Sequence, residues 1–265
     1  MIQDFGAVHA ADAGIVSSDI VGYSTLEVAG GKLYNVGLQF GSIGQDGLAR
    51  IDQVLSTSGI SAVGFDGMET SAAEIMFWNG TGYDHFYYIN EAYDPATDEP
   101  IEGNYWVDAG GYTLTDEELK ALGTGLWLKI PVGVCAGAAT LTSAGRVDDD
   151  DSITITLSGY NGGSLNLASN PYPTATDLSK IAVEGLVAVG FDGMESSANE
   201  IMFWNGVGYD HYYYINEAYD SATDEPIDGD YWVDAGGYAV TSPVASFGAS
   251  FWAKIFQNGS LTFTK

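Results

Sequence analysis

Short runs in which apolar and polar residues alternate, separated by glycine, asparagine and aspartate, recur along the chain and predict strands joined by turns. The clearest hairpin begins with a strand from Glu74 to Trp78, turns at Asn79-Gly80 and returns along Tyr83 to Ile89. Asn-Gly suits a tight hairpin because both residues tolerate positive φ angles. After the hairpin we expect an acidic loop from Asn90 to Gly103 and a further strand from Asn104 to Ala109.

Side chains along a strand point alternately to its two faces. In the returning strand His85 therefore shares a face with Tyr83 and Tyr87, whereas Asp84 lies on the opposite face. We do not expect Asp84 and His85 to pair, and His85 is interpreted as an ordinary hairpin side chain. His85 and His211 have no partner at helical ligand spacing, so the sequence does not favour a zinc site.

Two segments show helical spacing instead. A capping box at Thr115 and Glu118, followed by Leu119 and Leu122, predicts one short helix. Apolar residues three and four positions apart between Gly47 and Leu55 predict another. We therefore predict a mainly β fold with one or two short helices.

Residues 62–112 return almost unchanged at 188–238, 126 positions later and without a gap. Any chemical group in the block is thus present twice. We predict two homologous β-rich lobes from an internal duplication, at 1–145 and 153–265, joined by an acidic linker at 146–152. The seven differences between the blocks are Thr70/Ser196, Ala73/Asn199, Thr81/Val207, Phe86/Tyr212, Pro95/Ser221, Glu102/Asp228 and Asn104/Asp230.

The chain is strongly acidic, with 36 Asp and Glu against 8 Lys and Arg and a formal net charge of −28. Such a field repels phosphate backbones and anionic lipid, so nucleic acid and membrane surfaces are poor partners. No apolar run reaches the ~20 residues of a membrane-spanning helix, so we expect no membrane insertion. The start, Met1 to Phe5, lacks the basic and apolar regions of a signal peptide. Abundant glycine and aromatic residues with few lysines are typical of exported bacterial surface proteins, so we expect a mature secreted or cell-surface form.

Metals, disulfides and cofactors are not needed for a chain of this length to fold. The single cysteine, Cys135, lies in the mostly apolar run Ile130 to Leu141, which favours a small buried hydrophobe. Gly-rich phosphate loops are absent from the sequence, and we predict no cofactor. Four consecutive aspartates, Asp148 to Asp151, leave calcium binding open, although the spaced ligands of a regular calcium loop are missing.

Duplicated aspartates are the first candidates for catalysis. An acid protease uses two carboxyl groups a few ångströms apart that share one proton, and two-lobed forms take one from each lobe. Asp108 with Asp234 is our first candidate pair, and Asp66 with Asp192 is the second. The alternative is a structural turn in which Asp caps the backbone and glycine takes a positive φ angle.

The first pair resembles the aspartic protease signature of an apolar residue, Asp, a hydroxyl residue and Gly. Val107-Asp108-Ala109-Gly110 and Val233-Asp234-Ala235-Gly236 keep three of these four residues, with alanine in place of the hydroxyl residue that supports the carboxylate.

A wider resemblance rests on Gly22-Tyr23-Ser24-Thr25-Leu26-Glu27-Val28, Asn170-Pro171-Tyr172-Pro173, the Phe-Trp-Asn-Gly-x-Gly-Tyr-Asp-His motif and the Trp-x-Lys-Ile ending of each copy. These elements resemble secreted, duplicated β-rich proteins of mucin-degrading gut bacteria, one of which is described as a mucin-degrading aspartic-type protease. The resemblance implies an aspartic-type hydrolase that acts on mucin-like glycoprotein, and this is our first hypothesis.

The alternative is a non-catalytic glycan-binding or cell-surface structural β protein. Aromatic side chains stack on sugar rings, and Asn79, Glu91 and their counterparts Asn205 and Glu217 can form hydrogen bonds with hydroxyl groups. Two lobes would add avidity. A glycosidase is a third option, but the sequence does not nominate its two carboxylates. The candidate substrate-binding aromatics, which equally suit a sheet core, are Trp78, Trp204, Trp106, Trp232, Tyr83 and Tyr209.

Overall fold

The computed structural model describes residues 21–265 and is mainly β, with antiparallel sheets and helices of a single turn. The mainly β prediction is therefore confirmed. We call the strands β1 to β10 the first half and β11 to β18 the second half. The strands of the first half are β1 (Val21–Val28), β2 (Lys32–Gly37), β3 (Leu48–Ala49), β4 (Leu55–Ile60), β5 (Glu74–Trp78), β6 (Tyr83–Tyr93), β7 (Pro100–Val107), β8 (Lys120–Ala121), β9 (Gly125–Ile130) and β10 (Cys135–Arg146).

The second half has fewer strands and the same kinds of short helix. Its strands are β11 (Ser152–Leu157), β12 (Ser164–Ser169), β13 (Ala182–Glu184), β14 (Asn199–Trp204), β15 (Tyr209–Tyr219), β16 (Pro226–Val233), β17 (Ser250–Ile255) and β18 (Gly259–Thr264). The α-helical turns of both halves are α1 (Ile51–Val54), α2 (Met68–Ser71) and α3 (Met194–Ser197), and the 3-10 turns are Phe65–Gly67, Asp116–Glu118, Leu178–Lys180 and Phe191–Gly193.

Each half combines a five-stranded sheet with a three-stranded sheet. The five-stranded sheets have the orders β2-β9-β5-β6-β7 and β12-β17-β14-β15-β16, and the three-stranded sheets have the orders β1-β10-β4 and β11-β18-β13. The first half also contains the two-stranded sheet β3-β8. The sheet orders of the two halves thus correspond strand by strand.

Alternation along β5 explains how the layers pack. Ile75 and Phe77 are buried in a core shared with residues of the three-stranded sheet, such as Leu141 of β10. Met76 and Trp78 point the other way and pack against the second half. Since both faces of the sheet are covered here, each five-stranded sheet lies between its own three-stranded sheet and the five-stranded sheet of the other half.

The two five-stranded sheets meet at what we call the junction. Its centre is formed by Trp127 of β9, Leu167 of β12 and Trp252 of β17, which are all buried. Trp78 packs against Trp252 with ring centroids 5.5 Å apart, and Trp127 packs against Trp204 at 6.0 Å. Such edge-to-face pairs are favourable beyond the area that they bury.

The predicted hairpin is confirmed, and β5 has the predicted bounds. Gly80 has a φ angle of 98°, and the side-chain oxygen of Asn79 accepts hydrogen bonds from the backbone N–H groups of Thr81 and Gly82. The predicted loop from Asn90 to Gly103 is wrong in extent, because β6 continues to Tyr93 and β7 begins at Pro100. A register shift between Ile89 and Glu91 lets the ladder resume after the expected end of the strand.

Both predicted helices are reduced to single turns. Thr115 and Glu118 do form the capping box, but the 3-10 turn ends at Glu118 and the chain enters β8 at Lys120. Between Gly47 and Leu55 the chain forms β3, the single turn α1 and the first residue of β4. The apolar residues that suggested one helical face therefore belong to different elements of one core. No helix among residues 21–265 is long and apolar enough to cross a membrane.

Candidate functional site

Asp108 and Asp234 each cap a turn at the end of an edge strand. The Oδ1 atom of Asp108 accepts hydrogen bonds from the backbone N–H groups of Gly110 at 2.8 Å and Tyr112 at 2.9 Å. The Oδ1 atom of Asp234 accepts the equivalent bonds from Gly236 and Tyr238, at 2.8 and 3.1 Å. These bonds give both aspartates the structural role that the turn alternative predicted.

The two turns follow β7 and β16, the outermost strands of separate sheets. The sheets pack on each other through β2, β9 and β5 on one side and β12 and β17 on the other. Within residues 21–265 no hydrogen bond joins Asp108 to Asp234. The structure therefore does not bring this pair together in the way that a shared proton requires.

The second pair, Asp66 and Asp192, is exposed in the 3-10 turns that precede α2 and α3. Each turn is held by a glutamate of the adjacent long strand. The backbone N–H of Phe65 donates to Glu91 Oε2, and that of Phe191 donates to Glu217 Oε2, both at 2.8 Å. From the sequence, Glu91 and Glu217 are expected to bind sugar hydroxyls. In the structure, one carboxylate oxygen of each is already bonded to the backbone of the protein.

Trp106 and Trp232 lie in the cores of their halves, with only 3% and 4% of their surfaces exposed. Their prediction as sugar-stacking residues needs correction, because a ring at this depth has no face open to a ligand. Each packs at a tilt on a tyrosine one strand away, Tyr88 at 5.2 Å and Tyr214 at 5.1 Å between ring centroids.

Trp78, Trp204, Tyr83 and Tyr209 are half-buried at the rim of the junction. The indole N–H of Trp78 donates to the backbone oxygen of Leu165 at 2.7 Å and thereby ties the two halves together. Burial, with the nearby Tyr209 as the second cause, raises the pKa of Tyr83. The two tyrosines of the repeat are therefore close to each other across the junction, whereas the two aspartates are not.

A buried carboxylate, which sequence patterns did not single out, lies beside this rim. Glu74 is 4% exposed, and its Oε2 atom accepts a hydrogen bond from Lys129 Nζ at 2.7 Å. Its Oε1 atom lies 2.5 Å from Nδ1 of His85, whose side chain is 39% exposed. Burial, followed by the charges of Glu74 and Glu69, raises the pKa of Tyr87.

The second half repeats this cluster with one difference. Glu200 is buried and bonds His211 through Nδ1, and burial followed by Glu200 raises the pKa of Tyr213. Lys254 is paired with Glu200 in the strand register, but its Nζ atom lies over the ring of Phe256, 5.2 Å from the centroid. The part of the chain that the structure describes gives Glu200 no lysine partner.

Together these side chains form a line that we call the aromatic stripe. Along β6, the ring of His85 lies 6.4 Å from Tyr83 and is stacked 6.2 Å from Tyr87, and along β15 His211 is stacked 6.3 Å from Tyr213. Tyr83 and Tyr209 join the two segments at the junction. The members of the stripe are Tyr87, His85, Tyr83, Tyr209, His211 and Tyr213.

Hairpin register is the signal that would have revealed the cluster. With Trp78 opposite Tyr83, His85 lies opposite Met76 and diagonal to Glu74 on the same face. Diagonal neighbours on an antiparallel pair are within reach of long side chains. The prediction that Asp84 and His85 do not pair is confirmed, since Asp84 bonds Asn79 and Lys120 on the other face.

Three aspartates of the acidic linker at 146–152 are close enough to share a cation. Carboxylate oxygens of Asp148, Asp149 and Asp150 lie within 4.8 Å of one another, and Asp148 is buried. Asp148 also accepts a hydrogen bond from the backbone N–H of Asp150, and Arg146 bonds Asp149. Calcium binding at this cluster stays a prediction.

The fold and the site define a mainly β protein whose two halves share an aromatic and acidic face. Single-turn helices cover part of that face, with Met68 of α2 packed on Tyr87 and Met194 of α3 packed on Tyr213. No protein-family model matches the chain, and no curated protein matches it either.

Proposed function

We propose that the protein is a non-catalytic glycan-binding protein of the secreted or cell-surface class, which holds a mucin-type glycan along the aromatic stripe. The observation that supports this most is the repetition of the stripe on both sides of the junction. Tyr83 and His85 of the first half, and Tyr209 and His211 of the second, are the members that solvent reaches most readily at its centre.

Rings in a row suit a sugar chain because their faces contact the apolar C–H surfaces of the sugars, while the polar ring edges reach hydroxyl groups. His85 is held through Nδ1 by Glu74, so Nε2 is left for a ligand. His211 is held in the same way by Glu200. The buried carboxylates thus fix the rings in advance, and fixed groups lose less entropy when a ligand binds.

The stripe also explains why two copies would be useful. Each half contributes the same accessible pair of rings, Tyr83 with His85 and Tyr209 with His211, so one glycan chain that spans the junction meets both segments. Binding to the second segment is then intramolecular and benefits from a high effective concentration. A single-segment change should therefore weaken binding less than a change to both segments.

The test uses the full chain and purified mucin glycans on a biosensor surface. His85→Ala or His211→Ala alone should weaken binding about tenfold, and the double variant about a hundredfold, if the two segments act on one ligand. Asp108→Asn and Asp234→Asn are matched control variants, since they alter another duplicated position away from the stripe. Unchanged binding by the double histidine variant would overturn the proposal.

The aspartic-type hydrolase is a separate proposal for the same chain, which rests on the resemblance of Val107-Asp108-Ala109-Gly110 and its repeat to the aspartic protease signature. It predicts that the wild-type protein cleaves mucin between pH ~4 and ~8 and that Asp108→Asn or Asp234→Asn stops cleavage while the fold is kept. Mass spectrometry of the products distinguishes the two proposals, because a binding protein yields no fragments at any pH.

We also infer that the two halves arose by internal duplication. The inference is supported by the near-identity of 62–112 and 188–238 and by the matching strand orders of the five-stranded sheets. The repeat includes α2 and α3, the long strands β6 and β15 and the two capped turns. Since both segments of the aromatic stripe lie in the repeated blocks, a duplication by itself supplies the second segment.

A further inference from the structure

The second half contains a pocket of about 280 Å³ on the side of the five-stranded sheet away from the junction. It lies between the 3-10 turn Leu178–Lys180, strand β13 and the outer strands β15 and β16. The half-buried side chains of Val183, Tyr214 and Ile227 give it an apolar wall. This volume is at the lower end for ligand pockets, which start near ~300 Å³, and suits a small molecule.

Two carboxylates stand at this pocket. Asp220 accepts backbone hydrogen bonds from Ala222 and Thr223 at 2.8 and 3.0 Å, and these bonds lower its pKa, so it is ionised at neutral pH. Asp230 is exposed and lies near Tyr214, whose pKa is raised by burial and then by Asp230. The pocket therefore combines an aromatic and apolar interior with negative charge.

Eight of the lining positions differ from their counterparts 126 residues earlier, and four of these differences bear on the space and the charge of the pocket. Ser221, Ala239 and Val240 stand where the first half has Pro95, Thr113 and Leu114, so each side chain is smaller. Asp230 stands where the first half has Asn104, which adds a charge.

The first half uses the same space for its own core. There Leu114 is buried in the cluster that contains Trp106, the counterpart of Trp232. The smaller Val240 is only half-buried in the second half. At these positions the second half has smaller side chains than the first half, and a carboxylate replaces an amide.

The geometry points to a binding site for a small organic cation, an ammonium group on a compact aromatic or aliphatic body. The ammonium lies at Asp230 and Asp220, and the body rests on the half-buried Tyr214 and Ile227. An aromatic wall attracts cations as well as apolar groups, and the net charge of −28 concentrates cations near the protein. This site is separate from the aromatic stripe and does not depend on the function proposed for it.

The probe is benzylammonium, with benzyl alcohol as its neutral counterpart, and binding to the full chain is measured by calorimetry and ligand-observed NMR. We expect a Kd of ~1 mM for benzylammonium and binding about tenfold weaker for the alcohol. Asp230→Asn installs the residue that the first half carries and should weaken benzylammonium about tenfold. Asn104→Asp is the matched control and should add no binding, since Thr113 and Leu114 occupy the equivalent space.

A second variant changes the volume of the pocket without changing its charge. Ala239→Thr with Val240→Leu installs the first-half residues and should abolish binding of benzylammonium by filling the pocket, with circular dichroism used to check that the variant is folded. Equal binding of benzylammonium by wild type and by this filled variant would overturn the proposal. So would equal loss in Asp230→Asn and an exposed control such as Glu225→Gln, because the attraction would then be a property of the whole acidic surface.

Discussion

Replacement of Glu74 by glutamine should destabilise the protein more than the same change at Glu200. The Glu74 carboxylate bonds Lys129 Nζ at 2.7 Å and His85 Nδ1 at 2.5 Å. Glu200 has the equivalent histidine but no lysine. The two variants therefore differ by one charged donor in otherwise matching surroundings.

Bonds to a charged group contribute about 1.5 to 3 kcal/mol each, and roughly half remains when the acceptor is a neutral amide. Two such bonds at Glu74 would lose about 2 kcal/mol, and solvent reduces this loss because the side chains of Lys129 and His85 are 44% and 39% exposed. We expect a loss of about 1 to 2 kcal/mol for Glu74→Gln and about 0.5 to 1 kcal/mol for Glu200→Gln.

The assay is urea unfolding at pH 7, followed by circular dichroism and tryptophan fluorescence, with the midpoint and the slope compared for each variant. Glu225→Gln is the control, since Glu225 is exposed and its loss should change stability by less than about 0.5 kcal/mol. Equal losses at Glu74 and Glu200 would refute the contribution of Lys129. Losses below about 0.5 kcal/mol at both would refute the reasoning for the whole cluster.

Three further outcomes are expected. Asp108→Ala and Asp234→Ala each leave two backbone N–H groups without their cap and should lower the free energy of unfolding by about 1 kcal/mol in urea melts. Gly111→Ala places a side chain at a φ angle of 86° against the Phe65 ring and should cost about 1 to 3 kcal/mol in the same assay. Burial, assisted by nearby aspartates, raises the pKa of Tyr172 to about 12. The protonated side chain therefore stabilises the fold fully below pH ~10. This stabilisation, of up to about 3 kcal/mol, is lost as the pH rises to ~12. Tyr172→Phe should flatten the fall in stability over that range, and an unchanged fall would contradict the assignment.

Local signals predicted the parts of the fold that local geometry controls. The hairpin loop is four residues long, with a positive φ angle at Gly80 and the Asn79 side chain accepting backbone hydrogen bonds from within the loop. The capping box at Thr115 and Glu118 follows from one turn of chain. In both cases the residues that determine the structure are within four positions of one another. The sequence contains that information directly.

Elements that depend on distant partners were less predictable. Apolar spacing at Leu48, Ile51 and Leu55 suits a helix, yet Leu48 pairs with Ala121 in a two-stranded sheet and Leu55 pairs with Ser143 of β10. Pairing with remote strands supplies the hydrogen bonds that a helix would have made. A single sequence does not reveal which remote strands are adjacent.

The candidate site was likewise predictable only where local geometry determines the structure. Alternation correctly placed Tyr83, His85 and Tyr87 on one face, but whether that face meets solvent, a core or another sheet depends on how the halves pack. Because the faces of Trp106 and Trp232 turn inward, two residues with the same aromatic chemistry as Trp78 have no access to a ligand. Residue type alone therefore predicts more ligand-binding aromatic residues than the structure leaves accessible.

Lys129 and Lys254 show how one residue outside a repeat changes the chemistry inside it. Both lysines occupy the same register position beside a buried glutamate. After the shared Lys-Ile pair, the first half continues with Pro131 and the second with Phe256, and only an aromatic ring offers the second lysine a competing partner. Two blocks with seven differences in 51 positions thus acquire unequal charge networks, because the identity of the block does not extend to the strands that pack beside it.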